Sequence, residues 1–344
     1  MAIGSKKIIL LGVLDPGQIS DEIIQNWAND PSVIVLTEVT SNIRHPKFIN
    51  SIDSLITSFS DEDFKALQAD ILITMGGMVV SKRIKKFFRT FKPTQHWHID
   101  PLRAYDTFNA LTHHIEITPN EFFSVVNTQN QSSLYQEATL NTYKLLRNKQ
   151  DEFVHQAPYS DLKLFEAVFN KIPNHTLLHI SNSSAIRYAQ LFDIDPSLQI
   201  FCNRGTSGID GCTSTAIGAA VKSKLPTVLI TGDVSFLYDS NALWNANTPG
   251  NFKIIILNNG GGGIFRILPG HQDTPVFNTF FETEHNYTAK HLAAMYGYNY
   301  STCESLEQLE KLNNFFNSNT KEILEVFTPT KLNNQVLKDY FNYV

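Results

Sequence analysis

The chain has 344 residues, 42% of them hydrophobic and 18% charged, which is enough apolar material for two cored domains and rules out a disordered chain. A formal net charge of -5 leaves no basic field for nucleic acid, although cations can still gather locally around an acidic substrate. No apolar stretch approaches the roughly 20 residues needed to cross a bilayer, and Met1 to Lys7 lack the organisation of a signal peptide, so no membrane span is expected and a cytoplasmic location is the default.

The predicted elements alternate. Ile8 to Val13 reads as a strand, Ser20 to Ala28 as an amphipathic helix, Val33 to Thr37 and Ile71 to Met75 as strands, Lys82 to Phe91 as a helix and Trp97 to Ile99 as a strand. Such alternation predicts an α/β fold, an open parallel sheet with helices on both faces. The pattern fades near Val126. Thr128 to Ser133 is polar and reads as irregular, and Leu134 to Lys149 reads as a helix carrying the chain onward. The expected division is a first three-layer domain over 1–130, a linker helix over 131–150 and a second domain over 151–344.

The second half repeats the pattern on a larger scale. Thr176 to Ile180, Gln199 to Cys202, Thr227 to Thr231, Phe252 to Leu257 and Ile323 to Phe327 read as strands. Ser183 to Phe192, Gly211 to Ser223, Ser240 to Ala246, Thr288 to Tyr296, Leu306 to Phe316 and Leu332 to Phe341 read as helices. Gly211 to Ser223 is rich in Gly, Ala, Ser and Thr, which permits close backbone packing against a sheet or a second subunit and lends mild support to an oligomer. Cys202, Cys212 and Cys303 make neither a paired framework nor a zinc spacing, and they read as packing residues. His96 with His98, and His113 with His114, have no carboxylate completing a metal set, and they read as core or surface histidines.

Two short motifs carry chemistry. Gly232-Asp233 closes the apolar run Thr227 to Thr231, and Asn258-Asn259 closes Phe252 to Leu257, followed by the glycines Gly260 to Gly263. Either motif alone is an ordinary turn. Together, if the two runs are neighbouring parallel strands, they bring the Asp233 carboxylate and the Asn259 amide oxygen to one carboxyl edge, where α/β folds bind ligands. Magnesium takes about six oxygens and usually shares them between one or two side chains, water and substrate phosphates. An Asp, an Asn and the Gly261 carbonyl suit it, with manganese as an alternative ion. The glycine run lets backbone groups approach a ligand closely.

These motifs resemble those of thiamine-diphosphate enzymes. Asn203-Arg204-Gly205-Thr206-Ser207-Gly208-Ile209-Asp210-Gly211, Gly232-Asp233-Val234-Ser235 through Leu243, and Asn258-Asn259 with Gly261-Gly262-Gly263-Ile264-Phe265 resemble one branch, the 2-succinyl-5-enolpyruvyl-6-hydroxy-3-cyclohexene-1-carboxylate synthases of menaquinone biosynthesis. The resemblance covers that family's central, Rossmann-like domain and its C-terminal diphosphate-binding domain. It implies a transferase that binds thiamine diphosphate and magnesium, decarboxylates 2-oxoglutarate and adds the remaining fragment to isochorismate. It also implies a homodimer or homotetramer.

Roles follow residue by residue from the resemblance. Ile209 would hold the bend of the cofactor. Gly232, Asp233, Val234, Ser235, Asn259 and Gly261 would bind its diphosphate and metal, with Val234 standing where many thiamine enzymes have a third glycine. Ser183, Arg187 and Arg204 would meet the substrate carboxylates, which arginine matches bidentately without losing its charge. Ile264 and Phe265 would wall the apolar part of the substrate pocket, with Phe265 counted among the catalytic residues. Lys82 would reach in from the first domain, although it also begins a basic helix with Lys85 and Lys86.

The family's N-terminal domain, which supplies a glutamate to the aminopyrimidine of a neighbouring subunit, has no counterpart here. The expectation is therefore a fragment of a longer enzyme, or else a chain whose missing domain is a separate polypeptide; either way it holds half of the site and turns over slowly or not at all alone. Three other readings remain open: a different thiamine enzyme of acetolactate synthase or 2-oxoacid decarboxylase type, a non-catalytic cofactor-binding module, and a nucleotide-binding first domain. Against the last, Gly12 and Gly17 do not form the dinucleotide fingerprint.

Overall fold

The computed structural model describes residues 6–126, 132–267 and 274–343. They form two compact units that divide between Asp151 and Glu152. The stretch Thr128 to Ser133 lies outside the described residues except for Ser132 and Ser133.

In the first unit, strands β1 (Lys7–Leu11), β2 (Val33–Leu36), β3 (Ile71–Met75), β4 (Gln95–Ile99) and β5 (His113–Ile115) form a sheet in the order β2-β1-β3-β4-β5. Every pair is parallel. Alternate side chains serve opposite faces: Ile8 and Leu10 pack with Ile34, Leu36, Leu72 and Phe87, while Ile9 and Leu11 pack with Val33, Val35, Ile73 and Trp27. Both faces are buried under α1 (Asp21–Asn29), α2 (Ile52–Ile56), α3 (Asp61–Leu67), α4 (Lys82–Thr90), α5 (Pro119–Val125) and α6 (Tyr135–Gln156), which is why the strands read as unbroken apolar runs.

Strand β5 and helices α2, α3 and α5 were not among the expected elements. β5 is a three-residue edge strand, His-His-Ile, with His113 exposed and His114 and Ile115 half-buried, and it leaves no apolar run to read. Two of the helices did carry signals: Ser60 and Asp63 form a capping box on α3, and Thr118 and Glu121 form one on α5. α6 is anchored to the first unit by the Tyr135 hydroxyl, which donates to the Leu67 carbonyl, and by the Tyr143 hydroxyl, which accepts the Ser51 amide.

The second unit carries β6 (Leu177–Ile180), β7 (Gln199–Phe201), β8 (Thr227–Gly232), β9 (Phe252–Asn258), β10 (Asn299–Cys303) and β11 (Glu322–Phe327) in the order β10-β11-β9-β8-β6-β7. It too is parallel throughout. Its helices are α7 (Asp161–Lys171), α8 (Ser184–Ala189), α9 (Cys212–Lys222), α10 (Asp233–Tyr238), α11 (Ile264–Ile267), α12 (Pro275–Phe277), α13 (Lys290–Met295), α14 (Lys311–Asn317) and α15 (Thr330–Asn342). Ala216, Ile217 and Ala220 of α9 lie on Leu229, Ile254 and Ile256, so the small residues of that helix give close approach to the sheet. The stretch Ser240–Trp244 is 3-10 rather than α-helical. β10 was not expected, because its Asn-Tyr-Ser-Thr-Cys sequence is that of a polar edge.

Chain order reverses direction between β6 and β8, so the crevice at their carboxyl ends is the topological switch point of this sheet.

Candidate functional site

β8 and β9 are neighbours, with Gly232 opposite Leu257, so the segments after them emerge side by side at the carboxyl edge. Asp233 opens α10 and is buried. Its Oδ1 accepts the Val234 amide at 2.7 Å, and its Oδ2 accepts the amides of Gly260 and Gly261 at 2.9 and 3.0 Å. The carboxylate thereby ties the end of β8 to the glycine turn after β9. Gly260 has φ +77° and Gly261 φ +147°, and a Cβ at Gly261 would fall 2.6 Å from the Glu282 carbonyl oxygen, so only glycine fits. The Gly261 carbonyl accepts the Gly263 amide at 2.9 Å and keeps its second lone pair for another partner.

The two asparagines divide their tasks. Asn258 donates to Glu325 Oε1 at 2.7 Å and to the Tyr287 carbonyl at 2.9 Å, and its oxygen accepts the Gly260 amide, which commits it to the interior of the unit. Asn259 donates through Nδ2 to Asp161 Oδ2 at 2.9 Å, while its backbone carbonyl accepts the Thr330 hydroxyl at 2.5 Å. Its Oδ1 is buried and has no hydrogen-bond partner. A buried amide oxygen left unpaired costs on the order of 1–3 kcal/mol, so this atom is suited to an electrophilic partner, and a hard cation is one.

Two neighbours complete the electrostatics. Asp161 has its pKa pushed up to about 6, first by burial and further by the Asp233 charge, against hydrogen bonds from Thr328 and Asn259 that favour its ionised form. His285 Nε2 stands 3.4 Å from Asp233 Oδ2, too long for a well-formed hydrogen bond, and the carboxylate lifts the imidazole pKa above its ordinary value. Among the described residues no group of three or more His, Cys, Asp or Glu could hold a metal alone. A single carboxylate, an amide oxygen and a carbonyl fit an ion that takes its remaining ligands from a phosphorylated cofactor and water.

The other expected site residues gather at the same edge. Ser183 follows β6 with φ +74° and ψ −129°, a strained conformation for serine that costs on the order of 1–3 kcal/mol. Arg187 lies on α8 and donates to the Ser183 carbonyl. After β7, Arg204 Nη1 donates to Asn182 Oδ1 at 2.7 Å, while its Nε is buried without a partner. Ile209 sits half-buried in the loop between β7 and α9, and its carbonyl accepts the Ser235 hydroxyl at 2.5 Å. The Ser235 hydroxyl proton is thus committed to that loop. Ile264 and Phe265 are half-buried on α11, with the Phe265 ring edge-on to Phe281 at 6.2 Å. Lys82 belongs to the first unit, where it opens α4 with an exposed side chain.

Three residues at this edge were not singled out from the sequence. Asn182 is buried, donates to the carbonyls of Asn203 and Gly208 at 2.7 and 2.6 Å, and accepts Arg204, so it closes the loop after β7 onto β6. Asp161 had a readable signal in the Ser160 cap and the apolar positions 162, 164, 165 and 168 of α7, which mark a helix start without revealing what the carboxylate meets. His285 follows no motif.

Comparison with known proteins gives concordant matches. Residues 3–180 match the family model described as the middle domain of thiamine pyrophosphate, and residues 183–324 match that of the thiamine pyrophosphate enzyme C-terminal TPP binding domain. A relative from Flavobacterium johnsoniae is 58% identical over 98% of this chain and 62% of its own length. Relatives from Christiangramia forsetii and Porphyromonas gingivalis are 47% and 37% identical, each over 98% of this chain and 60% of their own length. All three are named 2-succinyl-5-enolpyruvyl-6-hydroxy-3-cyclohexene-1-carboxylate synthase. The chain thus spans about 60% of the length of these curated relatives.

Proposed function

We propose that this chain, which belongs to the thiamine pyrophosphate enzyme family, contributes to the reaction for which its relatives are named: decarboxylation of 2-oxoglutarate and addition of the remaining fragment to isochorismate, giving 2-succinyl-5-enolpyruvyl-6-hydroxy-3-cyclohexene-1-carboxylate. The observation that carries the reading is the unpartnered, buried Oδ1 of Asn259, one residue before the glycine turn that the Asp233 carboxylate grips. Asp233, Asn259 Oδ1 and the Gly261 carbonyl would hold magnesium, or manganese in its place. Gly232, Val234 and Ser235 would line the diphosphate at the start of α10; the Val234 amide is tied to Asp233 and the Gly232 amide to the Ser181 hydroxyl, so the first-turn donor offered there is the Ser235 amide.

Thiamine diphosphate, when bound, supplies the carbon nucleophile and the electron sink for decarboxylation. The chain's own residues supply position and charge. Ile209, its carbonyl fixed by Ser235, would prop the cofactor in its bent form. Both substrates are dianions, and the buried Nε of Arg204 is a donor awaiting an anionic acceptor. Arg187 and Ser183, on the neighbouring switch-point turn, would meet a second carboxylate. Ile264 and Phe265 would exclude water from the apolar side of the substrates. A homodimer or homotetramer is the oligomer this reading carries.

The test pairs binding with turnover. Calorimetry is expected to show cofactor uptake with Mg2+ and loss of that uptake with EDTA. Carbon dioxide release from 2-oxoglutarate is then assayed with and without isochorismate, using the chain alone and with the remaining portion of the F. johnsoniae relative supplied. The expected result is product that requires isochorismate. Equal turnover of pyruvate to acetolactate would overturn the substrate assignment, and no metal-dependent cofactor uptake in either format would overturn the whole reading.

A further inference from the structure

We infer that Asp161 is a positioning residue that dictates an amide, rather than a carboxylate, at position 259; the inference rests on the proposed metal-diphosphate role of Asn259. The two residues are 98 positions apart and Asp161 belongs to neither motif. It opens α7 and is 1% exposed.

A closed set of hydrogen bonds holds it. The Thr328 hydroxyl donates to Asp161 Oδ1 at 2.6 Å, the Asp161 amide donates to Asn333 Oδ1 at 2.8 Å, and Asn333 Nδ2 donates to Thr328 Oγ1 at 3.0 Å. The ring joins α7, the segment after β11 and α15 around one carboxylate. Its second oxygen, Oδ2, takes Asn259 Nδ2 at 2.9 Å. The Thr330 hydroxyl, on the Asn259 carbonyl, fixes the backbone of the same residue.

An ionised carboxylate only accepts, so it selects the nitrogen end of the asparagine amide. The oxygen must then point the other way, which accounts for Asn259 Oδ1 being buried without a protein partner. Turning the amide over would set oxygen against the Asp161 carboxylate and present the nitrogen, a poor ligand for a hard cation. An aspartate at 259 would place two carboxylates in contact in a buried site, where like charges strongly disfavour joint ionisation. The Asp–Asn combination at Asp233 and Asn259 is therefore enforced from behind by a third residue.

The test is a swap. Cofactor-dependent Mn2+ binding is measured by calorimetry and electron paramagnetic resonance, with folding followed by circular dichroism. Asn259→Asp, which sets a carboxylate at the proposed ligand position against Asp161, is expected to weaken Mn2+ binding by about 10–100-fold, the range seen when the hydrogen-bond support of a ligand is lost. Combining it with Asp161→Asn is expected to restore binding to within about tenfold of wild type, because donor and acceptor are exchanged and one oxygen at 259 still faces the metal. Asp161→Leu is expected to lose about 10–100-fold, whereas Asp161→Asn, which can still accept from Asn259, should lose far less.

A folded double variant binding no better than Asn259→Asp overturns the inference. Should the double variant fail to fold, Asp161→Leu and Asp161→Asn decide: equal affinities overturn it, and a deficit confined to Asp161→Leu supports it. Wild-type protein that binds no Mn2+ with the cofactor overturns the functional reading itself, whereas wild-type binding with an unrestored swap overturns only the role of Asp161.

Discussion

The two sheets share one architecture and differ in what occupies their switch points. In the first unit the crevice between β1 and β3 is filled by the chain: a Cβ at Gly12 would lie 1.9 Å from the Gly77 carbonyl oxygen, and Gly77 donates to the Val13 carbonyl at 2.8 Å. Beside it, the Glu38 carboxylate takes the amides of Val80 and Ser81 at 2.6 and 2.8 Å, at the approach to α4, where an α/β fold would bind a phosphate. In the second unit Asp233 takes the backbone amides of Val234, Gly260 and Gly261, yet Asn259 Oδ1 and Arg204 Nε remain buried and unpartnered nearby. Topology offers a binding crevice in both. Whether the chain's own backbone and carboxylates fill it decides which one is kept for a ligand.

That contrast breaks most sharply at the two carboxylates. Asp233→Ala is expected to weaken metal-dependent cofactor binding by about a thousandfold or more, beyond the range typical of an outer-shell partner, as read by calorimetry. Retained affinity would remove the distinction between the two edges.

A pH titration probes both units equally. Burial lowers the pKa of His96 in the first and His179 in the second to about 4, from 6.5 in the unfolded chain. The unfolded state therefore binds the extra protons first, and stability present above pH 6.5 is lost as the pH falls toward 4. The expected loss is roughly 3 kcal/mol per histidine, measured by urea unfolding across that range. A variant carrying His179→Phe should show a shallower slope.

Glu38→Ala is the smaller counterpart of the first substitution. It leaves the Val80 and Ser81 amides without their acceptor and is expected to destabilise the protein by about 2 kcal/mol in denaturant unfolding, while leaving cofactor affinity unchanged. A fall in affinity matching that of Asp233→Ala would show that the first edge also serves the cofactor.

The sequence made the strand skeleton readable because both faces of each central strand are buried, as the runs Val33–Leu36 and Phe252–Asn258 illustrate. It placed Asp233 and Asn259 at strand ends, but the adjacency of β8 and β9 was only a condition there and is decided by the sheet, in which the consecutive β7 and β8 are not neighbours. It singled out Asn259 of the two asparagines without a packing reason: only the tertiary structure commits Asn258 to Glu325, 67 residues away, and leaves Asn259 with an open oxygen. Polar edge strands such as β5 and β10 escaped notice because periodicity is a signature of burial, and these are half-exposed.

By itself, then, the sequence determined the parallel alternation, the paired Gly-Asp and Asn-Asn motifs and the glycines whose backbone angles the turn after β9 demands. The tertiary structure alone decided that Asp161 turns the Asn259 amide, that Asn182 gathers the loop bearing Arg204, and that Glu38 caps the first edge. The division has a physical cause. Hydrophobic periodicity and turn preference act over a few residues and leave a trace in local order, whereas a buried hydrogen bond between residues 98 apart exists only once the intervening chain has been packed away.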